Sequence, residues 1–257
     1  MKCVLLAGGQ GTRMREESEL RPKPMMPIGS RPILWHIMKN FSHFGVNEYV
    51  VCTGFKGEMI KQYFMNFYSL NSDFTVNLQN ENEVTFHDVL EESDWKVTVA
   101  DTGQDTMTGG RVKRVQRFLE NDSDFLCTYG DGLADVNIQE LIEFHKSHGK
   151  IATVTAVRPT SRFGVMEIDS AGIVQSFREK PQVDGWINVG FFVFNNKIFD
   201  YLNDDSVLEN EPLTSLADQG ELMAFKHDGF WQPMDTYREY KIFNELLLSG
   251  QSPWKSW

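Results

Sequence analysis

The sequence predicts an α/β fold, a mainly parallel sheet with helices on both faces, and three observations carry that prediction. Short apolar runs recur at residues 3–7, 49–53, 97–99, 125–129 and 152–157, several of them continuous enough for strands buried on both faces. Stretches with apolar residues at helical spacing separate these runs, and strand–helix–strand alternation builds parallel sheets. The sequence has no Ser/Gly/Pro-rich linker, repeat or low-complexity tract, so one compact domain over residues 1–257 is expected.

The elements follow in order. The first strand, residues 3–7, delivers the chain into a glycine cluster. Residues 33–41 repeat apolar side chains at helical spacing behind Pro32, which suits a first turn. Residues 57–67 and 138–148 give two more amphipathic helices, the latter ending at Gly149 as a helix stop should. From Phe163 the pattern changes to short, partly alternating strands at 165–169, 173–177 and 190–194, which predict a smaller subdomain closing over the first half. Residues 238–249 form a C-terminal helix, a candidate for contacts between subunits.

Composition bounds the function. The 257 residues carry a formal net charge of −11, which excludes a general polyanion-binding surface and with it nucleic acid as a partner. The apolar run after Met1-Lys2 is too short for a signal peptide or a membrane span, so a cytoplasmic protein with no membrane partner is expected. Cys3, Cys52 and Cys127 lie in strand-like apolar segments without ligand spacing, which predicts buried free thiols.

Four segments can carry chemistry. In Leu6-Ala7-Gly8-Gly9-Gln10-Gly11-Thr12-Arg13 the glycines let main-chain N–H groups approach an anion. The window Gly9 to Met14 lacks the third glycine of a dinucleotide-binding fingerprint, and the P-loop spacing is absent too, which argues against a dehydrogenase. Arg13, and Lys23 held between Pro22 and Pro24, add positive charge. A plain glycine turn and a solvated lysine are the alternatives. Asp131, between Gly130 and Gly132 at the end of an apolar strand, is placed to hold a hard metal ion against phosphate, or is a turn aspartate. Asp235 is a second candidate ligand, although Asp followed by Thr236 is equally a helix-cap pattern. Residues 106–111, Thr-Met-Thr-Gly-Gly-Arg, offer hydroxyls and a forked donor to a base edge, or form a glycine turn. In residues 177–181 and 188–191, Glu179 can accept hydrogen bonds from sugar hydroxyls and Lys180 can bind an anion, unless both belong to an exposed charged turn.

Together and in this order, these segments resemble the sugar-1-phosphate nucleotidylyltransferases. The family signature L-A-G-G-x-G-T-R followed by P-K-P is met at residues 6–13 and 22–24. The segments at 32–38, 101–103, 107–111, 128–132, 220–225 and 229–236 narrow the resemblance to members that use CTP and glucose 1-phosphate. The likeness implies a Rossmann-like three-layer nucleotidyltransferase fold with a smaller sugar-side β subdomain. It implies transfer of CMP from CTP to α-D-glucose 1-phosphate, with Mg²⁺ as cofactor and a homo-oligomeric, often hexameric, assembly. By the same resemblance Arg13, Lys23 and Asp131 are catalytic, and Asp131 and Asp235 hold the metal. Leu6, Ala7, Gly8, Gly9, Gly11, Thr12, Thr106, Thr108, Gly109, Gly110, Arg111 and Gly130 join Arg13 and Lys23 in binding the nucleotide. Tyr129, Glu179, Lys180, Asn188 and Gly190 face the sugar phosphate.

The sequence departs from the pattern in four places. Arg21 and Arg31 stand where lysine is usual, Val189 replaces a second glycine beside the sugar, and residues 74–95 match poorly. The valine leaves the choice of sugar more open than the reaction, and a uridylyl- or thymidylyltransferase is the nearest alternative. A non-catalytic binding module on the same fold is disfavoured because Arg13, Lys23, Asp131, Lys180 and Asp235 are all retained.

Overall fold

The computed structural model describes residues 1–11, 14, 20–79, 83–161, 163–182 and 184–257. Among them, one seven-stranded sheet is built from β1 (Cys3–Leu6), β2 (Glu48–Thr53), β3 (Lys96–Asp101), β4 (Asp124–Tyr129), β5 (Ala152–Val157), β6 (Ile187–Asn195) and β7 (Leu222–Lys226). Its order is β7-β5-β6-β4-β1-β2-β3. All neighbours run parallel except β6, which is antiparallel to both β5 and β4.

The six longer helices are α1 (Ile33–His43), α2 (Gly57–Met65), α3 (Thr108–Arg114), α4 (Ile138–His148), α5 (Glu211–Asp218) and α6 (Tyr237–Leu248). Pro32 caps α1 from just outside the first turn. The side chain of Asn137 accepts from Glu140 N at the start of α4, and Gly149 ends the helix with φ 65°. Alternation along β1 divides the core: Cys3 and Leu5 pack with Ile33, Ile37, Leu141 and Phe243 of α1, α4 and α6. Val4 and Leu6 pack on the other face with Val112 of α3 and Leu213 and Leu216 of α5. Helices thus cover both faces, which is why these strands are apolar throughout. Cys3, Cys52 and Cys127 are buried free thiols, as the sequence predicts.

One expectation needs correction. Residues 190–194 do not belong to a small subdomain but form the middle of β6 in the central sheet. Phe191, Phe192, Val193 and Phe194 are all buried, and a strand apolar on both faces needs two covered faces, which a lone hairpin cannot supply. What remains of the expected subdomain among the described residues is an antiparallel hairpin, Val165–Ile168 with Val174–Arg178, most of it exposed. A second exposed hairpin, Phe74–Asn77 with Glu83–Phe86, occupies the segment that departs from the family pattern.

The register brings the carboxyl ends of three strands level, with Leu6 opposite both Cys52 and Tyr129. Ligands in open α/β sheets bind at that edge.

Candidate active site

The loop after β1 is shaped by a buried arginine as much as by its glycines. Arg111 is only 4% exposed, and its guanidinium donates to five oxygens: Gly8 O, Thr53 O, Thr102 Oγ1, Gly103 O and Gln104 O, at 2.8–3.1 Å. Nη1 serves Thr53 O, Thr102 Oγ1 and Gly103 O, and Nη2 serves Gly8 O and Gln104 O, so the two ends of one rigid fork join three separate loops. A Cβ at Gly8 would lie 2.1 Å from Arg111 Nη1, so this glycine makes room for the arginine as well as for a ligand. Among the described residues nothing lies within 4 Å of such an atom at Gly9.

A cavity of about 290 Å³ opens beside this loop. Leu6, Ala7, Gly8, Gly9, Gly11 and Lys23 line one side of it. Thr106, Thr108 and Arg111 line another, with Tyr129, Gly130 and Asp131 from the end of β4. Pro24 and Met107 also line it and were not singled out from the sequence, although each is a chain neighbour of a residue that was. Gly109 and Gly110 lie away from this lining and pack α3 against the turn at 204–206. A Cβ on Gly110 would stand 2.2 Å from Asp204 O, and Gly110 N donates to Ser206 O. Residues 106–111 are therefore a helix start rather than a glycine turn. Thr12 and Arg13 lie outside the described residues.

Lys23 joins the two candidate metal ligands. Its ammonium, 8% exposed with its residue, is 3.3 Å from Asp131 Oδ2 and 2.8 Å from Asp235 Oδ1. The helix-cap reading of Asp-Thr holds alongside the ligand reading. Thr236 caps α6 by accepting from Glu239 N, while Glu239 accepts from the backbone N–H groups of Asp235 and Thr236. This capping box leaves the Asp235 carboxylate to face Lys23. Two hard oxygen donors converging on one cationic position fit a divalent ion. Among the described residues no cluster of three or more His, Cys, Asp or Glu forms.

A second cavity, about 180 Å³, shares Tyr129 and Asp131 with the first. Asn188, Val189 and Asp235 line it, with Trp231, which the sequence reading did not single out. Gly190 has φ 86°, and a Cβ there would lie 2.1 Å from Tyr129 Cδ2, so it supports the Tyr129 ring. Glu179 and Lys180 line neither cavity. They follow the exposed strand Val174–Arg178, and their side chains form an exposed pair at 3.8 Å.

Two cavities adjoin at Tyr129 and Asp131, one of them lined by a glycine loop and a buried lysine. The family model described as "Nucleotidyl transferase" matches residues 2–233. The chain belongs to that nucleotidyl transferase family, as the motifs at 6–13 and 22–24 imply. It is 52% identical to the glucose-1-phosphate cytidylyltransferase of Salmonella typhi, the match covering 100% of both chains. It is 43% identical, with the same coverage, to a probable glucose-1-phosphate cytidylyltransferase of Bacillus subtilis (strain 168). Among solved structures, HddC from Yersinia pseudotuberculosis superposes with a TM-score of 0.70 at 24% identity, covering 96% of this chain and 99% of that one, a likeness of fold.

Proposed function

We propose that this chain transfers CMP from CTP to α-D-glucose 1-phosphate, giving CDP-glucose and pyrophosphate. The full-length 52% identity to an enzyme of that name is the observation that carries the reading. Two adjoining cavities, one for each substrate, support it. The attacking sugar-phosphate oxygen is already anionic near neutral pH, so the site needs no general base. It has to align two anions that repel one another and neutralise charge at the α-phosphorus and the leaving pyrophosphate.

In this reading the backbone of Ala7, Gly8, Gly9 and Gly11, with Thr12 and Gly130, cradles the nucleotide, and Arg13 and Lys23 neutralise its phosphates. Leu6, Thr106, Thr108 and Arg111, backed by Gly109 and Gly110, form the base side. Tyr129, Asn188 and Gly190 bound the sugar side. Glu179 and Lys180 belong to the sugar phosphate, as the family motif implies, and require the hairpin to lie closer over the site than it does here. Asp131 and Asp235 would hold Mg²⁺, which when bound supplies charge neutralisation to phosphate oxygens on both substrates.

We further propose that residues 1–257 act as one nucleotidyltransferase domain in a homo-oligomer, hexameric by resemblance, with α6 a candidate contact. Among the described residues no helix is long and apolar enough to cross a membrane. A cytoplasmic setting fits three free thiols in one chain. The test is pyrophosphate release with CTP, UTP and dTTP, each against a panel of sugar 1-phosphates. Highest kcat/KM for CTP with glucose 1-phosphate supports the reading, and preference for another pair overturns it.

A further inference from the structure

Tyr129 is the wall between the two cavities, lining both. It ends β4 opposite Leu6, and its ring rests on Gly190 and meets Phe192 edge-on at 5.9 Å. Packing holds the ring on one side, and the position of its hydroxyl end is set by hydrogen bonds. The Tyr129 hydroxyl is hydrogen-bonded by Asn188 and by Glu209, whose Oε1 accepts it and whose Oε2 accepts the Thr108 hydroxyl at 2.6 Å. Thr108 in turn accepts from Leu208 N at 2.9 Å. Thr108 opens α3 and lines the nucleotide cavity, so one carboxylate joins the end of a central strand to the start of a helix on the nucleotide side. Burial, and then the Glu209 charge, push the Tyr129 phenol well above its ordinary pKa, which keeps it a donor. Glu209 itself is exposed and belongs to neither core cluster, so its loss is felt at the cavities rather than in the fold.

We propose that Glu209 is a positioning residue: by accepting both hydroxyls it fixes the Tyr129 ring as a rigid partition that sets how the sugar phosphate approaches the nucleotide. The proposal rests on the reading of the two cavities as nucleotide and sugar-phosphate sites. Charge-assisted hydrogen bonds of this kind are among the stronger ones, and alignment of two reactants is sensitive to small displacements.

The test is steady-state kinetics on the full chain for wild type, Glu209→Gln, Glu209→Ala, Tyr129→Phe and the double variant Glu209→Ala/Tyr129→Phe. The substrate pair is the best one from the pyrophosphate-release panel. Failure of CTP there strikes the proposed reaction and leaves this measurement intact. Glu209→Ala and Tyr129→Phe are each expected to lower kcat/KM for the sugar phosphate about 10-fold, with a smaller change in the KM of the nucleotide. Glu209→Gln, which keeps an acceptor oxygen, should recover most of the loss, and the double variant should be no worse than the poorer single one. Losses that multiply in the double variant overturn the proposal. So does a Glu209→Ala protein whose melting temperature falls while both KM values and kcat stay at wild type.

Discussion

The Lys23 ammonium stands 2.8 Å from Asp235 Oδ1, a contact between positions 212 residues apart that closes the site from the two ends of the chain. Asp131 Oδ2 shares the same ammonium at 3.3 Å. In Lys23→Ala the two carboxylates lose that shared cation and repel one another. Turnover is expected to fall by about 100-fold or more. Melting in EDTA should drop by several degrees and recover when Mg²⁺ is added. Identical melting with and without Mg²⁺ would count against the shared cation position.

Asp131→Asn keeps the shape of the side chain and removes its charge. Because Asp131 lines both cavities, pyrophosphate release should fall about 100-fold even at saturating Mg²⁺. Near-normal release in that variant would count against the proposed role of Asp131 as a metal ligand.

Arg111→Lys tests the clamp under the loop. An ammonium has three donors where the guanidinium makes five hydrogen bonds, so part of the link between the three loops is lost. The expected loss is about 3 kcal/mol of folding stability, with weaker nucleotide binding. Urea unfolding and calorimetric titration with CTP read the two effects, and wild-type values in both would sink the assignment.

His36 makes the fold acid-sensitive. Its Nε2 donates to Ile28 O at 3.0 Å and its Nδ1 accepts from Trp254 Nε1 at 3.4 Å, so the ring is held neutral. Burial lowers its pKa from 6.5 to about 4, against the opposing effect of the Ile28 hydrogen bond. The unfolded chain takes up the proton first as pH falls, so this contribution is complete above about pH 6.5 and is lost between there and pH 4. The loss amounts to about 3 kcal/mol. In His36→Gln the stability difference between pH 7 and pH 4 should shrink by about that amount. An unchanged pH profile in urea unfolding rejects the account.

Val189 lines the second cavity, proposed to take the sugar phosphate, where the family pattern has a second glycine. Val189→Gly should raise KM for glucose 1-phosphate and narrow its preference over bulkier sugar 1-phosphates by about 10-fold, the scale of a few methylene contacts. The ratio of kcat/KM values for two sugar 1-phosphates measures it, and an unchanged ratio means that the valine does not gauge the sugar.

Much of the central sheet was legible because its strands are apolar without alternation, the mark of strands covered on both faces. Residues 190–194 share that composition, but as a short run following two alternating ones they read like a third strand of the hairpin region. Which sheet a strand joins is settled by the partner available to it, here β4 and β5 on either side. In the site, Lys23 and Asp131 were readable because prolines and glycines flank them. Glu209 carried no such signal, since its partners Tyr129 and Thr108 are 80 and 101 residues away.

By itself, the sequence determined the alternation of elements, the glycine loop with its lysine, and the carboxylates at strand and helix ends, because propensity, periodicity and turn chemistry act over a few residues. Only the tertiary structure decided that Arg111 braces that loop, that Lys23 bridges Asp131 and Asp235, and that Tyr129 divides two cavities. Those relationships depend on distances between segments far apart in the chain, and such distances exist only once the sheet has assembled in its final order.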